Sequence, residues 1–275
     1  MSDTENKKPS IVEVPLGELG ANLAMGEPDD SGVYVTRLSA KRWNLFTEQT
    51  LEGKRQQQKG KGGMSLHRYV NLLFSELCLN FGPYNFETSG EAEKAAILNR
   101  FTFADIMTAY TWLRKQCLGT DLKYKVTCPT CGAAFVWVGD LDTLPIRTAS
   151  KVEDTYWKHK VLEPFEFRKE QVEEIEFGPL RWASLANAKI EAGARKPQVL
   201  CSSVVKVNDK PTSVFEQEFR EMGKRDLETI LVDIDKHSIG PVMVLDIDCK
   251  DERCGHSFKK LIDWGYDDFF SVSSL

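Results

Sequence analysis

Two cysteine pairs constrain this chain more than any other feature. Cys128-Pro-Thr-Cys131 and Cys249-Lys-Asp-Glu-Arg-Cys254 each end a run of alternating polar and apolar residues, and each is followed at once by a glycine, Gly132 and Gly255. Alternation at a period of two predicts a strand with one buried face, here Leu122 to Thr127 and Val242 to Asp248. After Cys131 a second strand, Ala134 to Val138, closes a hairpin with the first. Two residues between cysteines let both thiolates face one cation, and the glycine behind lets the turn backbone fold around it. The four-residue spacing of the second pair predicts a looser knuckle of the same kind. Tetrahedral zinc takes four ligands, and Cys128, Cys131, Cys249 and Cys254 are the predicted set for a structural Zn2+. Four thiolates leave no open coordination position, so a catalytic metal is disfavoured. His256 lies beyond Gly255 and is expected to support the site at most.

The seven cysteines include Cys78, Cys117 and Cys201 outside these pairs. An odd number, together with an N-terminus lacking an apolar signal core, predicts reduced thiols or metal ligation and not a disulfide framework.

The two knuckles belong to matching segments. At a common offset of 121, Gly119 matches Gly240, Asp105 matches Asp226, Thr108 matches Thr229 and Lys115 matches Lys236. The inward strand positions match too: Leu122 with Met243, Tyr124 with Leu245, Val126 with Ile247. Past the knuckles the offset is 123, pairing Gly132 with Gly255, Phe135 with Phe258 and Asp140 with Asp263. Farther upstream, Arg42-Trp43 and Arg181-Trp182 each follow a short strand and open a helix. The expected fold is therefore α+β and internally duplicated, two helix–strand–knuckle–strand halves joined by a zinc-ribbon-like four-cysteine site. The division runs 1–30 as a flexible N-terminal arm, 31–150 as the first half and 151–275 as the second.

Local signals fill in the remainder. Ser39 reads as the N-cap of a helix carrying Trp43, Leu45 and Phe46, and Gly53 to Gly63 as a solvated, Gly-rich basic loop, alternatively a contact for an acidic partner. Residues 64–80 predict a buried helix with Cys78 in the core, and 90–100 a charged helix or linker. Thr102 caps a helix from Phe103 to Gln116 that Gly119 ends. A linker near 143–155 leads to strands around 160–167 and 173–177, a helix over 180–192 and a break at 193–197. Leu200 to Val207 reads as strand or buried helix, Glu216 to Lys224 as a charged helical stretch. Arg225-Asp226 opens a helix ending at Gly240.

Charge narrows the partners. The net charge is −5, and residues 1–150 carry 17 basic and 17 acidic side chains, leaving the whole excess of acid in 151–275. Neither half is a basic clamp, so a nucleic-acid partner, the role of a zinc-ribbon adaptor, is not expected. No apolar run approaches the roughly 18 residues of a membrane span. No enzyme motif presents itself: His-Glu-x-x-His, the zinc-deaminase pattern, Gly-x-Ser-x-Gly and a P-loop are all missing from the sequence. The acidic pairs Asp140/Asp142 and Asp246/Asp248 read as solvated carboxylates. No catalytic or cofactor-binding residue and no small-molecule substrate is expected.

The helix FTFADIMTAYTWLRKQCLG, the hairpin DLKYKVTCPTCGAAFVWVGDLDTL, and a second half with RDLETILVDIDKHSIG, Cys249, Cys254 and a closing Asp267-Asp268-Phe269-Phe270 are similar to the T-even phage base plate protein family. The resemblance covers about residues 33–270 and departs from the usual two-residue spacing at Cys249/Cys254. It implies a non-enzymatic virion or tail-assembly protein, assembled in the host cytoplasm. Such a protein is either built into the hub of a contractile-tail baseplate or needed transiently to assemble it, with other baseplate and tail proteins as partners.

Overall fold

The computed structural model describes residues 12–14 and 26–261, apart from 29, 32–33, 42–44, 59–64, 148–151, 187–199, 215, 220 and 243. It mixes helices with several small antiparallel sheets, an α+β architecture. β1 (Val12–Val14) pairs with β4 (Leu38–Ala40), and β2 (Glu27–Pro28) pairs with β3 (Tyr34–Val35). Two short strands thus fall inside the stretch expected to be a flexible arm. β5 (Cys78–Phe81) and β6 (Tyr84–Asn85) complete a four-stranded sheet in the order β1-β4-β5-β6.

Three local expectations are corrected here. Ser39 is not a helix cap: it is buried in the middle of β4, and its hydroxyl accepts a hydrogen bond from Asn80 Nδ2 of β5 at 2.8 Å. Sheet pairing on both sides of β4 overrides the local capping preference. Residues 53–58 of the expected basic loop are helical, the last turns of α1 (Leu45–Gln58). Lys54 donates to Glu76 and Glu91 at 2.5 and 2.6 Å, which ties this part of α1 to its neighbours and offsets the roughly 1 kcal/mol that Gly53 costs in a helix. The helix expected over 64–80 is α2 (Leu66–Leu77), capped by Ser65, and stops where β5 begins. Apolar residues run on unbroken through Cys78-Leu79, and a fully buried run has no period that separates helix from strand.

α3 (Glu91–Leu98) and α4 (Phe103–Leu118) follow. α4 starts at a complete capping box, with the Thr102 hydroxyl accepting from the Asp105 amide and the Asp105 carboxylate accepting from the Thr102 amide. Residues 104–114 are all buried, so α4 is the central post of the larger core. Phe74, Phe81, Phe101, Tyr110 and Leu113 pack there. So do Trp182, Leu245 and Ile247, from the C-terminal part of the chain.

A second core lies between a sheet and a helix. β10 (Trp157–Lys160), β13 (Glu174–Phe177), β14 (Val204–Val207) and β15 (Lys210–Pro211) form an antiparallel sheet in that order. The short hairpin of β11 (Glu166–Phe167) and β12 (Glu170–Gln171) lies within the β10–β13 connection. The expected strand over 160–167 is therefore broken into two pieces. Ile175, Phe177 and Val204 face Ile230 of α5 (Lys224–His237). The helix expected over 180–192 is a short 3-10 turn, Trp182–Leu185, in its described part, and the break at 193–197 lies outside the described residues. Leu200 to Ser203 are helical before β14, and Glu216–Phe219 is a 3-10 turn.

Backbone bonds interlock the two parts. Phe103 N donates to Leu180 O and Trp182 N to Phe101 O, at 2.7 and 3.0 Å. β9 (Ile146–Arg147) pairs with β16 (Gly240–Pro241), which lies on α4 with Gly240 against Ala104. No helix among the described residues is long and apolar enough to cross a membrane.

Candidate metal centre

Each cysteine knuckle caps a hairpin. β7 (Asp121–Thr127) pairs with β8 (Ala134–Asp140) in an unbroken register, Thr127 opposite Ala134 beside the first knuckle. β17 (Val244–Asp248) pairs with β18 (Ser257–Leu261), Asp248 opposite Ser257 beside the second. Leu122, Tyr124 and Val126 of β7, like Leu245 and Ile247 of β17, point into the larger core, while the residues between them are exposed. Both hairpins lie with their inner faces on one core, and their tips come together. Lys260 of β18 donates to the Lys125 carbonyl of β7 at 3.2 Å and sits 5.9 Å from the centre of the Tyr124 ring. Nothing in the sequence marked Lys260 for this role.

The knuckle turns are built alike. Cys128 N donates to Ala133 O and Gly132 N to Cys128 O, at 2.9 and 3.0 Å. On the other hairpin Cys249 N donates to His256 O, and Cys254 N to Asp251 O, both at 2.9 Å. The two additional residues of the second knuckle are absorbed by Asp251, whose carboxylate also accepts from Arg253 N at 2.9 Å. Gly132 and Gly255 have φ of +74° and +58°, the left-handed region that glycine adopts without a Cβ penalty.

The four predicted sulfurs converge. Cys128 Sγ lies 3.8 Å from Cys254 Sγ and Cys131 Sγ 3.6 Å from Cys249 Sγ, and all four lie within 4.8 Å of one another. A tetrahedron with Zn–S bonds of about 2.3 Å has edges of about 3.8 Å. A disulfide needs about 2.05 Å. The separations therefore match a cation shared by four thiolates and not two covalent bridges, and the all-sulfur donor set suits zinc. Cys128 is buried, Cys249 and Cys254 are half-buried and Cys131 is exposed.

Electrostatics at the site follow from its crowding. Amides of Cys131 and Thr130 directed at the Cys128 sulfur hold its thiol down at about 7. At Cys249 the Asp251 amide acts in the same direction, but desolvation and the three neighbouring sulfurs push the thiol up to about 12. At Cys254 the His256 amide lowers the pKa, yet desolvation and the sulfurs of Cys131 and Cys128 leave it raised. Four sulfurs this close cannot all ionise without a cation between them.

The remaining candidates fall elsewhere. The His256 imidazole is not among the four converging groups; its ring stacks beside Phe258 at 6.0 Å. Cys78 and Cys201 are buried in the two cores, and burial pushes the Cys117 thiol up to about 12. Asp140 caps the turn after β8 by accepting from Asp142 N, and Asp142 pairs with Lys115. Asp246 and Asp248 are exposed on β17, as their strand phase predicts.

Comparison of the chain with protein-family models, with curated proteins and with solved structures finds no match.

Proposed function

We propose that this chain is a structural or assembly protein of a contractile phage tail baseplate, in the hub region, with a structural zinc held by Cys128, Cys131, Cys249 and Cys254. The observation that carries the zinc is the meeting of four sulfurs from two hairpin tips. When bound, zinc supplies charge neutralisation and cross-linking, with no open position for a substrate. What supports the baseplate role is the resemblance of the α4–β7–β8 and α5–β17–β18 segments to the T-even base plate family.

The two segments are read as copies of one ancestral unit. Each runs helix, glycine, hairpin, with the glycine at positive φ, Gly119 at +82° and Gly240 at +94°. Each helix carries a buried aspartate three residues after its cap, Asp105 and Asp226. Arg42-Trp43, Met243 and Asp263, also matched in the sequence, and the closing Asp267-Asp268-Phe269-Phe270 lie outside the described residues.

The test has two parts. Metal analysis of protein purified without chelator is expected to find one zinc per chain, and tail particles from a phage encoding this chain are expected to be defective without it. Mass spectrometry of finished particles then separates a resident component from a transient assembly chaperone. Dispensability for tail formation removes the baseplate reading whatever the metal content.

A further inference from the structure

β8 is a seven-residue strand, AFVWVGD. Among the described residues it pairs with β7 alone. The bonds Cys128 N to Ala133 O and Leu141 N to Thr120 O, at either end of the ladder, set its alternation. Continuing inward, Phe135 and Trp137 exchange backbone bonds with β7, whereas Ala134, Val136, Val138 and Asp140 are the wide pairs whose N–H and C=O point away from it. The matching outward groups of β7 are partly covered, since Lys125 O receives Lys260 Nζ.

Native edges are protected by lysine, proline, a bulge or a covering element. β8 contains no lysine and no proline, and its register with β7 shows no bulge. Val136 and Val138 are 39% and 60% exposed, directly beside the open backbone groups. Phe135 and Trp137 on the other face are only half-buried, while their neighbours on β7 are fully buried.

We infer that the open edge of β8 is the interface between two copies of this chain, which pair as antiparallel strands about a two-fold axis at Trp137. Self-complementarity selects a second copy. With Val136 opposite the second copy's Val138, the outward backbone groups of Val136 and Val138 meet outward groups of the second copy, and Ala134 comes opposite Asp140, whose carbonyl also accepts from Thr143 Oγ1 at 2.7 Å. Both valines gain a β-branched cross-strand neighbour. Charge does not oppose it: Lys123 and Lys125 lie on β7, so the lysines of the two copies stand three strand spacings apart, about 14 Å, in a four-stranded sheet. That exceeds the screening length of about 8 Å at physiological salt.

Sedimentation velocity over a dilution series, with amide hydrogen exchange at each concentration, tests this on the full chain. The expected result is a monomer–dimer equilibrium in which Val136 and Val138 amides gain protection as dimer forms. Phe135 and Trp137 amides, already bonded to β7, should stay unchanged. V136K and V138P should be monomeric with unaltered zinc content, because residue 138 donates nothing to β7. A chain that stays monomeric throughout the series overturns the inference. So does a dimer in which Val136 and Val138 exchange as fast as in the monomer, or one that both variants leave intact.

Discussion

Cys131 Sγ stands 3.6 Å from Cys249 Sγ although 118 positions separate them along the chain. The two residues sit on different hairpins whose inner faces share one core, so the contact depends on tertiary packing. A structural zinc contributes about 10–16 kcal/mol of apparent binding free energy, against a net folding stability of about 5–15 kcal/mol. C128S and C249S should therefore each lose most of the bound zinc and show a large fall in thermal midpoint. C201S, altered in the second core away from the sulfur cluster, should keep its metal. Metal-to-chain ratios from plasma emission, read beside thermal scans, check this; equal zinc in all three variants would contradict the assignment.

The glycines separate conformational strain from crowding. Nothing lies within 4 Å of a Cβ built on Gly132 or Gly255, so G132A and G255A meet only the cost of a left-handed backbone, about 1–2 kcal/mol each. At Gly240, φ is +94° and an added Cβ would also sit 3.1 Å from Ala104 Cβ on α4. G240A should be the most damaging of the three, by overpacking the junction of β16 and α4. Urea midpoints give the ranking, and a G240A protein as stable as G132A would refute it.

Acid should weaken the second core through Asp226. Its carboxylate is buried, which by itself raises the pKa. Hydrogen bonds from Leu162 N at 2.8 Å, His159 Nε2 at 2.8 Å and Glu163 N at 3.1 Å overcome this and hold it below the usual aspartate value. A group depressed in the folded state stabilises above its unfolded pKa, about 3.9, and that contribution disappears as pH falls through the folded value. His67 adds a loss at higher pH. Burial holds its pKa below the ordinary 6.5 despite a bond to Asn99, so acidification must charge an imidazole stacked against Trp182. Stability should thus decline in two stages, first below about 6.5 and again below about 3.9. D226A should cost about 3–5 kcal/mol near neutrality, the penalty of stripping one partner from a buried polar network. It should also flatten the second stage; an unchanged acid limb in D226A would show that another carboxylate governs it.

A fragment of residues 26–150 should not unfold cooperatively. It lacks Trp182, which is fully buried in the larger core and donates to Asn71 Oδ1 at 2.7 Å, and it lacks Leu245 and Ile247 from the same core. In the full chain, W182A should cost about 3–5 kcal/mol. Circular dichroism melts of both are the check, and a sharp transition in the fragment would mean that the first half completes its own core.

Local rules made much of the site legible. Thr102 announces the start of α4, alternation announces β7 and β17, and a glycine directly after Cys131 and Cys254 announces a turn. Each signal lies within a few residues of the structure it produces. The same reasoning failed at Ser39, where β4 is bonded on both sides by distant strands. It also failed at Leu79, where an apolar run carries no period, and at Gly53, where ion pairs from α2 and α3 hold a helix that composition alone would dissolve.

The sequence by itself determined the four cysteines that converge, their two turns and the strands that carry them, because backbone geometry and spacing act over short range. Only the tertiary structure decided that both hairpins lie on one core, that Trp182 crosses into it, that Lys260 bridges to β7, and that β8 pairs with β7 alone among the described residues. Those outcomes follow from burying the apolar faces of separate segments together. The hydrophobic effect that drives this is non-directional, and leaves no mark in the spacing of residues more than a hundred positions apart.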